Sequence, residues 1–180
     1  MKTLIKLGVV SCVICLTACS KSQEAEKQEK IRHEGLLAVY SNGVRVLEGP
    51  INHGWSKKCA DNNLYQGECD GASPVNWADG QDFSVVWSGL LYAPSTGEYT
   101  IKGWIDGDLA IQINRAQVLQ VNSHGDHCSG VVTLEGGAWY PINMTYKPNG
   151  GSNNMILGWI PPGQTSEVIP KKYLGSEEAP

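Results

Sequence analysis

Three groups of side chains in this 180-residue chain are of types that could do chemistry, and each also has a plain structural use. The first is Asp106-Gly107-Asp108, two carboxylates about a glycine, which reads as oxygen ligands or as a tight turn. The second is His124, Asp126, His127 and Cys128, donors of the kinds that zinc and copper take. All four come from one short stretch, whereas a closed tetrahedral site draws on two separated pairs, so their spacing is unspecific. The third is aromatic: Trp55, Tyr65 and Trp77 lie in a long irregular region, 41–82. A flat exposed ring there can pack on the apolar face of a sugar, or it can pack beneath a cysteine loop. Catalytic signatures are missing. There is no Gly-x-Ser-x-Gly elbow, no His-Glu-x-x-His and no phosphate loop, and Glu98 and Glu135 border turns rather than forming a carboxylate pair. The residues point to binding and not to an enzyme.

The elements that must position these residues are strands. Phe83 to Asn114 opens with the apolar run Phe83-Ser-Val-Val-Trp87 and turns through Pro94-Ser-Thr-Gly97 into Tyr99-Thr-Ile101. Asp106-Gly-Asp108 reads as a second turn, after which Leu109, Ile111 and Ile113 alternate with polar residues. Further strands are expected at 35–40, 118–121, 131–134, 139–147 and 155–160, with a loop at 122–130 and a hairpin turn at Glu135-Gly-Gly137. Val168-Ile-Pro170 and Tyr173-Leu174 close the pattern. Trp87, Trp104, Trp139 and Trp159 fall within strands and are expected in the core. With 21 glycines, 6 tryptophans and no long helical period, the fold class is all-β: an antiparallel sandwich or barrel, jelly-roll-like, of about eight to ten strands with one long irregular insert.

The first 18 residues read as a signal peptide. Lys2 and Lys6 precede an apolar run, Leu7–Leu16, too short to span a bilayer. Leu16-Thr17-Ala18-Cys19 resembles a bacterial lipobox, which implies a cysteine that carries acyl chains (palmitate among them) as the mature N-terminus. Ser20 after that cysteine resembles lipoproteins sorted to the outer membrane. Loss of Lys2 and Lys6 leaves 12 basic against 18 acidic residues, an acidic exported chain ill-suited to nucleic acid. Residues 19–34, charged throughout with only Ala25 and Ile31 apolar, read as a solvated tether. In an oxidising compartment Cys59 and Cys69, flanking a short loop, are the expected disulfide; pairing of Cys128 with either one is the alternative.

Residues 83 to 174 carry an ordered series of motifs. It runs Phe83-x-Val-x-Trp-x-Gly89, Pro94-x-x-Gly97-x-Tyr99-Thr-Ile, Asp106-Gly, Leu134-x-x-Gly137-x-Trp-Tyr-Pro-Ile142, Leu157-x-Trp159 and Val168-Ile-Pro170. The series resembles the protective-antigen-type (PA fourteen) domain, with Gly35–Tyr40 matching its opening strand. The resemblance implies a β-sandwich at 35–175, with a short tail at 176–180, used mostly for carbohydrate recognition and adhesion. In adhesin members an Asp–Asp pair binds calcium, which coordinates two sugar hydroxyls. Asp106 matches the second aspartate, but Ile105 stands at the first, and Asn149 falls near the family's asparagine ligand. Calcium wants six to eight oxygens; Asp106, Asp108 and Asn149 supply three, with Asn153 and Asn154 nearby, while both segments are equally ordinary turn sequences. The expectation is a surface lipoprotein of the cell envelope whose domain binds a glycan at Asp106, Gly107, Asp108 and Asn149, with Trp55 and Trp77 as an aromatic wall. The alternative is a protein-interaction or envelope-assembly module with the same fold and no sugar site, which Ile105 favours.

Overall fold

Alternation sets the strands. In Ala138–Pro148, buried Ile142, Met144, Tyr146 and Pro148 interleave with exposed Pro141, Asn143, Thr145 and Lys147, the two-residue period of a half-buried strand. The computed structural model describes residues 32–54, 71–72, 83–149 and 153–180. Among them run β1 (His33–Glu34), β2 (Leu36–Tyr40), β3 (Arg45–Glu48), β4 (Asn52–Gly54), β5 (Gly71–Ala72) and β6 (Val85–Ala93). There follow β7 (Gly97–Ile113), β8 (Ala116–Leu134), β9 (Ala138–Pro148), β10 (Asn154–Ile160), β11 (Glu167–Val168) and β12 (Leu174–Ser176). One turn of 3-10 helix, Lys171–Tyr173, precedes β12.

The expected all-β, antiparallel architecture is what forms: every pairing is antiparallel except β4 with β5. The sheet curls on itself because β7 is shared. Along one edge β7 pairs with β8 throughout; along the other, Thr100–Ile105 pair with β10 and Gly107–Ile113 pair with β9. One layer is therefore β3-β2-β6-β9 with the second half of β7, and the other is the first half of β7 with β10, β4 and β5. Between them lies the core. Trp87, Trp159, Tyr40, Tyr99, Leu36, Ile51, Ile101 and Ile111 are all fully buried, each contributing about 1.5–3 kcal/mol or more through the apolar area removed from water.

One buried carboxylate ties the layers. Glu48, on β3, accepts from the Tyr40 hydroxyl and the Trp87 indole, each at 2.6 Å, and lies 3.0 Å from His53 Nε2 on β4. The His53 ring stacks on Trp87. A buried charge is tolerated only when its oxygens are this well supplied with donors.

Four local expectations are corrected. Asp106-Gly-Asp108 is not a turn, and 122–130 is not a loop; both lie within continuous strands of 17 and 19 residues. The glycine and acidic signals there mark a bend. Gly107 takes φ 146°, and β8 carries an extra residue opposite the Ile105–Asp106 step, a β-bulge. Pro94–Gly97 and Glu135–Gly137 are turns but not hairpins, because β9 lies between β6 and β7, and β8 does not pair with β9. The two turns cross between layers side by side, joined by the Gly136 amide donating to Thr96 Oγ1 at 2.8 Å. A tight hairpin instead joins Ile113 to Ala116 through Asn114 and Arg115, both at positive φ (52° and 66°).

Candidate functional site

Where β7 leaves β10 and joins β9, the strand pair forks, and Asp106 is the residue at the fork. Ile105 still pairs with Met155 of β10, and Gly107 already pairs with Pro148 of β9. Continuing each register by one residue brings both Asn149, after the end of β9, and Asn154, at the start of β10, toward Asp106 on the same edge of β7. The structure thus gathers Asp106, Asn149 and the 153–154 asparagines at one place. Asp106 is buried (4% exposed) and Asn153 nearly so (6%), while Asn149 is exposed.

The main chain of the fork is held by Tyr146, whose hydroxyl donates to the Asp106 carbonyl at 2.6 Å. Burial, and after it the Asp106 charge, hold the Tyr146 phenol well above the ordinary tyrosine range. Gly107 is obligatory on steric grounds. A Cβ there would strike the Lys147 carbonyl of β9, and its φ of 146° strains any other residue.

Asp108 is drawn away from this group. It is exposed, it faces Lys147 on β9 and Asn122 on β8, and the Asn122 side-chain amide donates to its carboxylate. Ile105 is fully buried in the core and offers the fork no side-chain oxygen. Asn153, at φ 53°, has a buried side-chain oxygen with no hydrogen-bond partner among the described residues. A buried acceptor left unmatched costs about 1–3 kcal/mol, so this oxygen is a ready ligand for a cation or a hydroxyl. The donors at the fork, one carboxylate and neutral amide oxygens, are of the kind calcium takes.

Sequence reasoning missed two aromatics. Trp104 and Trp139 are not core residues: both are half-buried, unlike Trp87 and Trp159. Trp104 stands two residues before Asp106 on the same outward side of β7, its ring 5.2 Å from that of His127. The alternation of Tyr99, Ile101, Gly103 and Ile105 on the buried side carried that signal. Trp139 lies against Tyr92 and beneath the Arg32 guanidinium, 4.1 Å from its ring. The expected aromatic wall of Trp55 and Trp77, the expected pairing of Cys59 with Cys69 and the expected lipidation of Cys19 all fall outside the described residues. Cys128 is a half-buried thiol, 3.2 Å from the Gly103 carbonyl. It points to the face opposite His127, as neighbours on a strand must. Among the described residues no group of three or more His, Cys, Asp or Glu could hold a metal.

The PA14 domain family matches residues 34–173. The chain belongs to that family. In three dimensions it is similar to an anti-sigma factor domain-containing protein, at 27% identity and TM-score 0.64; the match covers 83% of this chain and 49% of that one, so this chain spans about half the length of that relative. It is also similar to the PA14 sugar-binding domain from an RTX adhesin (16% identity, TM-score 0.53, 79% and 98% covered). A third similar structure is the Epithelial Adhesin 6 A domain from Candida glabrata, solved with Galb1-3GlcNAc (14% identity, TM-score 0.60, 81% and 88% covered). No curated protein matches the chain.

Proposed function

We propose that this PA14 domain is a carbohydrate-binding module of the adhesion type, held at the cell envelope through lipid on Cys19, and that its ligand docks at the fork. The observation that carries the reading is the register by which the end of β9 and the start of β10, with their asparagines, converge on Asp106. A buried carboxylate beside neutral amides suits hydroxyls, which can donate to the first and exchange hydrogen bonds with the second. Trp104 adds an aromatic face on the outward side of the same strand, as glycan sites commonly do. That two proteins of similar structure are described as sugar-binding or sugar-bound supports the reading by analogy of fold.

Calcium belongs to the same proposal. Asp106, Asn149 and the unmatched Asn153 oxygen would hold it, with Asp108 contributing only on release from Asn122. Bound there, the ion would offer its remaining coordination positions to sugar hydroxyls. The reading is of a binding module and not of an enzyme. The specific observation favouring the other class, an envelope-assembly module without a sugar site, is Ile105, buried where the adhesin pattern has its first aspartate.

A glycan array with and without chelator tests both. Binding that Asp106→Ala abolishes supports the fork. Binding that ignores chelator removes calcium from the mechanism. No binding to any glycan, with co-purification of an envelope protein, establishes the assembly module instead.

A further inference from the structure

The outward face next to the fork holds a groove of about 610 Å³ between β6, β9, β7 and β8. Two rows of paired residues build it. The row nearest the fork is Lys147–Asp108–Asn122; the next is Val86–Thr145–Ala110–Gln120. We propose that this groove is an extension subsite for a neutral oligosaccharide chain whose first unit sits at Asp106, so that the site takes a chain and not a single sugar. The proposal rests on the glycan reading of the fork and deepens it.

Three features select that occupant. The groove adjoins the fork, because Asp108, which lines it, stands two residues after Asp106 on β7. Its chemistry is mixed along each row. Val86, 42% exposed, and Ala110 give an apolar floor, while Thr145, Gln120 and Asn122 carry hydroxyl and amide groups. That is the pattern of a pyranose chain, with apolar ring faces and hydroxyl edges. Charge complementarity excludes the polymers of opposite character. The charged side chains lining the groove, Asp108 and Lys147, are of opposite sign and directly paired across strands, so the face attracts neither an anionic nor a cationic chain. The Asn122 amide bound to Asp108 fixes that carboxylate before a ligand arrives, which lowers the ordering cost of binding.

The experiment is calorimetric titration of the lipid-free domain with mono- to hexasaccharide ladders of neutral glucose and galactose polymers. Affinity is expected to rise roughly tenfold between monosaccharide and trisaccharide, the gain of about two added hydrogen bonds. Thr145→Arg and Gln120→Ala, both at exposed positions, remove that gain and leave monosaccharide affinity unchanged. Far-ultraviolet circular dichroism verifies that both variants fold. Equal affinity for every length, or a gain that survives both substitutions, overturns the subsite while monosaccharide binding sensitive to Asp106→Ala keeps the fork. Binding to no member of either ladder, at any length, overturns the subsite, and the glycan array decides separately whether the glycan reading falls with it.

Discussion

The Tyr146 hydroxyl donates at 2.6 Å to the main-chain carbonyl of Asp106, reaching from β9 to the residue of β7 that stands between two ladders. The contact anchors the main chain at the point where β7 passes from one ladder to the other. Tyr146→Phe keeps the packing and leaves a buried carbonyl short of its donor. The expected loss is about 1–3 kcal/mol in urea unfolding. A change within the error of the extrapolation would show that the carbonyl finds another donor.

The same phenol sets an alkaline limit on stability. Its folded-state pKa is raised by burial and by Asp106, whereas the unfolded tyrosine titrates near ~10. Below pH ~10 both states keep the proton and this group adds no pH dependence. Above it the unfolded state loses its proton first, so stability falls as pH rises toward the folded value. Unfolding free energy followed from neutral to strongly alkaline pH should drop more steeply for the wild type than for Tyr146→Phe.

Glu48 makes a sharper test of the core. Glu48→Ala strips the acceptor from Tyr40 and Trp87 together and leaves His53 without its carboxylate. The expected cost is about 3–5 kcal/mol, as for breaking other buried charged networks. Glu48→Gln keeps one acceptor oxygen and should cost distinctly less. Chemical denaturation of the pair decides it, and equal losses would show that shape and not charge is what the site requires.

Gly107→Ala puts a methyl group against the Lys147 carbonyl at a backbone angle that only glycine adopts readily. A loss of about 1–3 kcal/mol is expected, with faster amide exchange at Pro148's neighbours in β9 than at the distant β1–β12 pair. Unchanged stability would mean that β9 can shift outward freely.

If calcium binds at the fork, it stabilises the folded state by mass action. At a hundredfold excess over its Kd the gain is about 2.7 kcal/mol. Thermal unfolding with added calcium should show the shift in the wild type and none in Asp106→Ala. A shift of equal size in both places the ion elsewhere.

Most strands were legible because their alternation is local: Leu109, Ile111 and Ile113 announce their face without reference to any partner. What local signals could not tell was which strands pair. Pro94–Gly97 and Glu135–Gly137 reverse the chain as their residues demand, yet each leads to the opposite layer, since β9 fills the place a hairpin partner would take. Asp106-Gly-Asp108 carried a turn signal of the same strength, but β8 pairs along it on one edge and β9 from Gly107 onward on the other, and they hold it extended. The site was half legible. Asp106 and Asn149 could be named from the motif series, whereas the turn of Asp108 toward Asn122 and the half-buried position of Trp104 depend on strand pairing that no local signal carries. Glu48 gave no signal at all, since a glutamate after Arg45-Val-Leu47 looks like any exposed strand residue.

The pairing of β1 with β12 has a mechanical consequence. Tension applied to the chain at Arg32 acts first on the bonds of His33 to Ser176 and Glu34 to Gly175. It then passes through Leu174 and Leu91 into β6 and on to the Pro141 end of β9. The fork lies beyond the other end of β9, past Pro148. If the chain were held at Arg32 and a ligand at the fork, load would therefore reach the fork only through the long β6–β9 ladder, in shear.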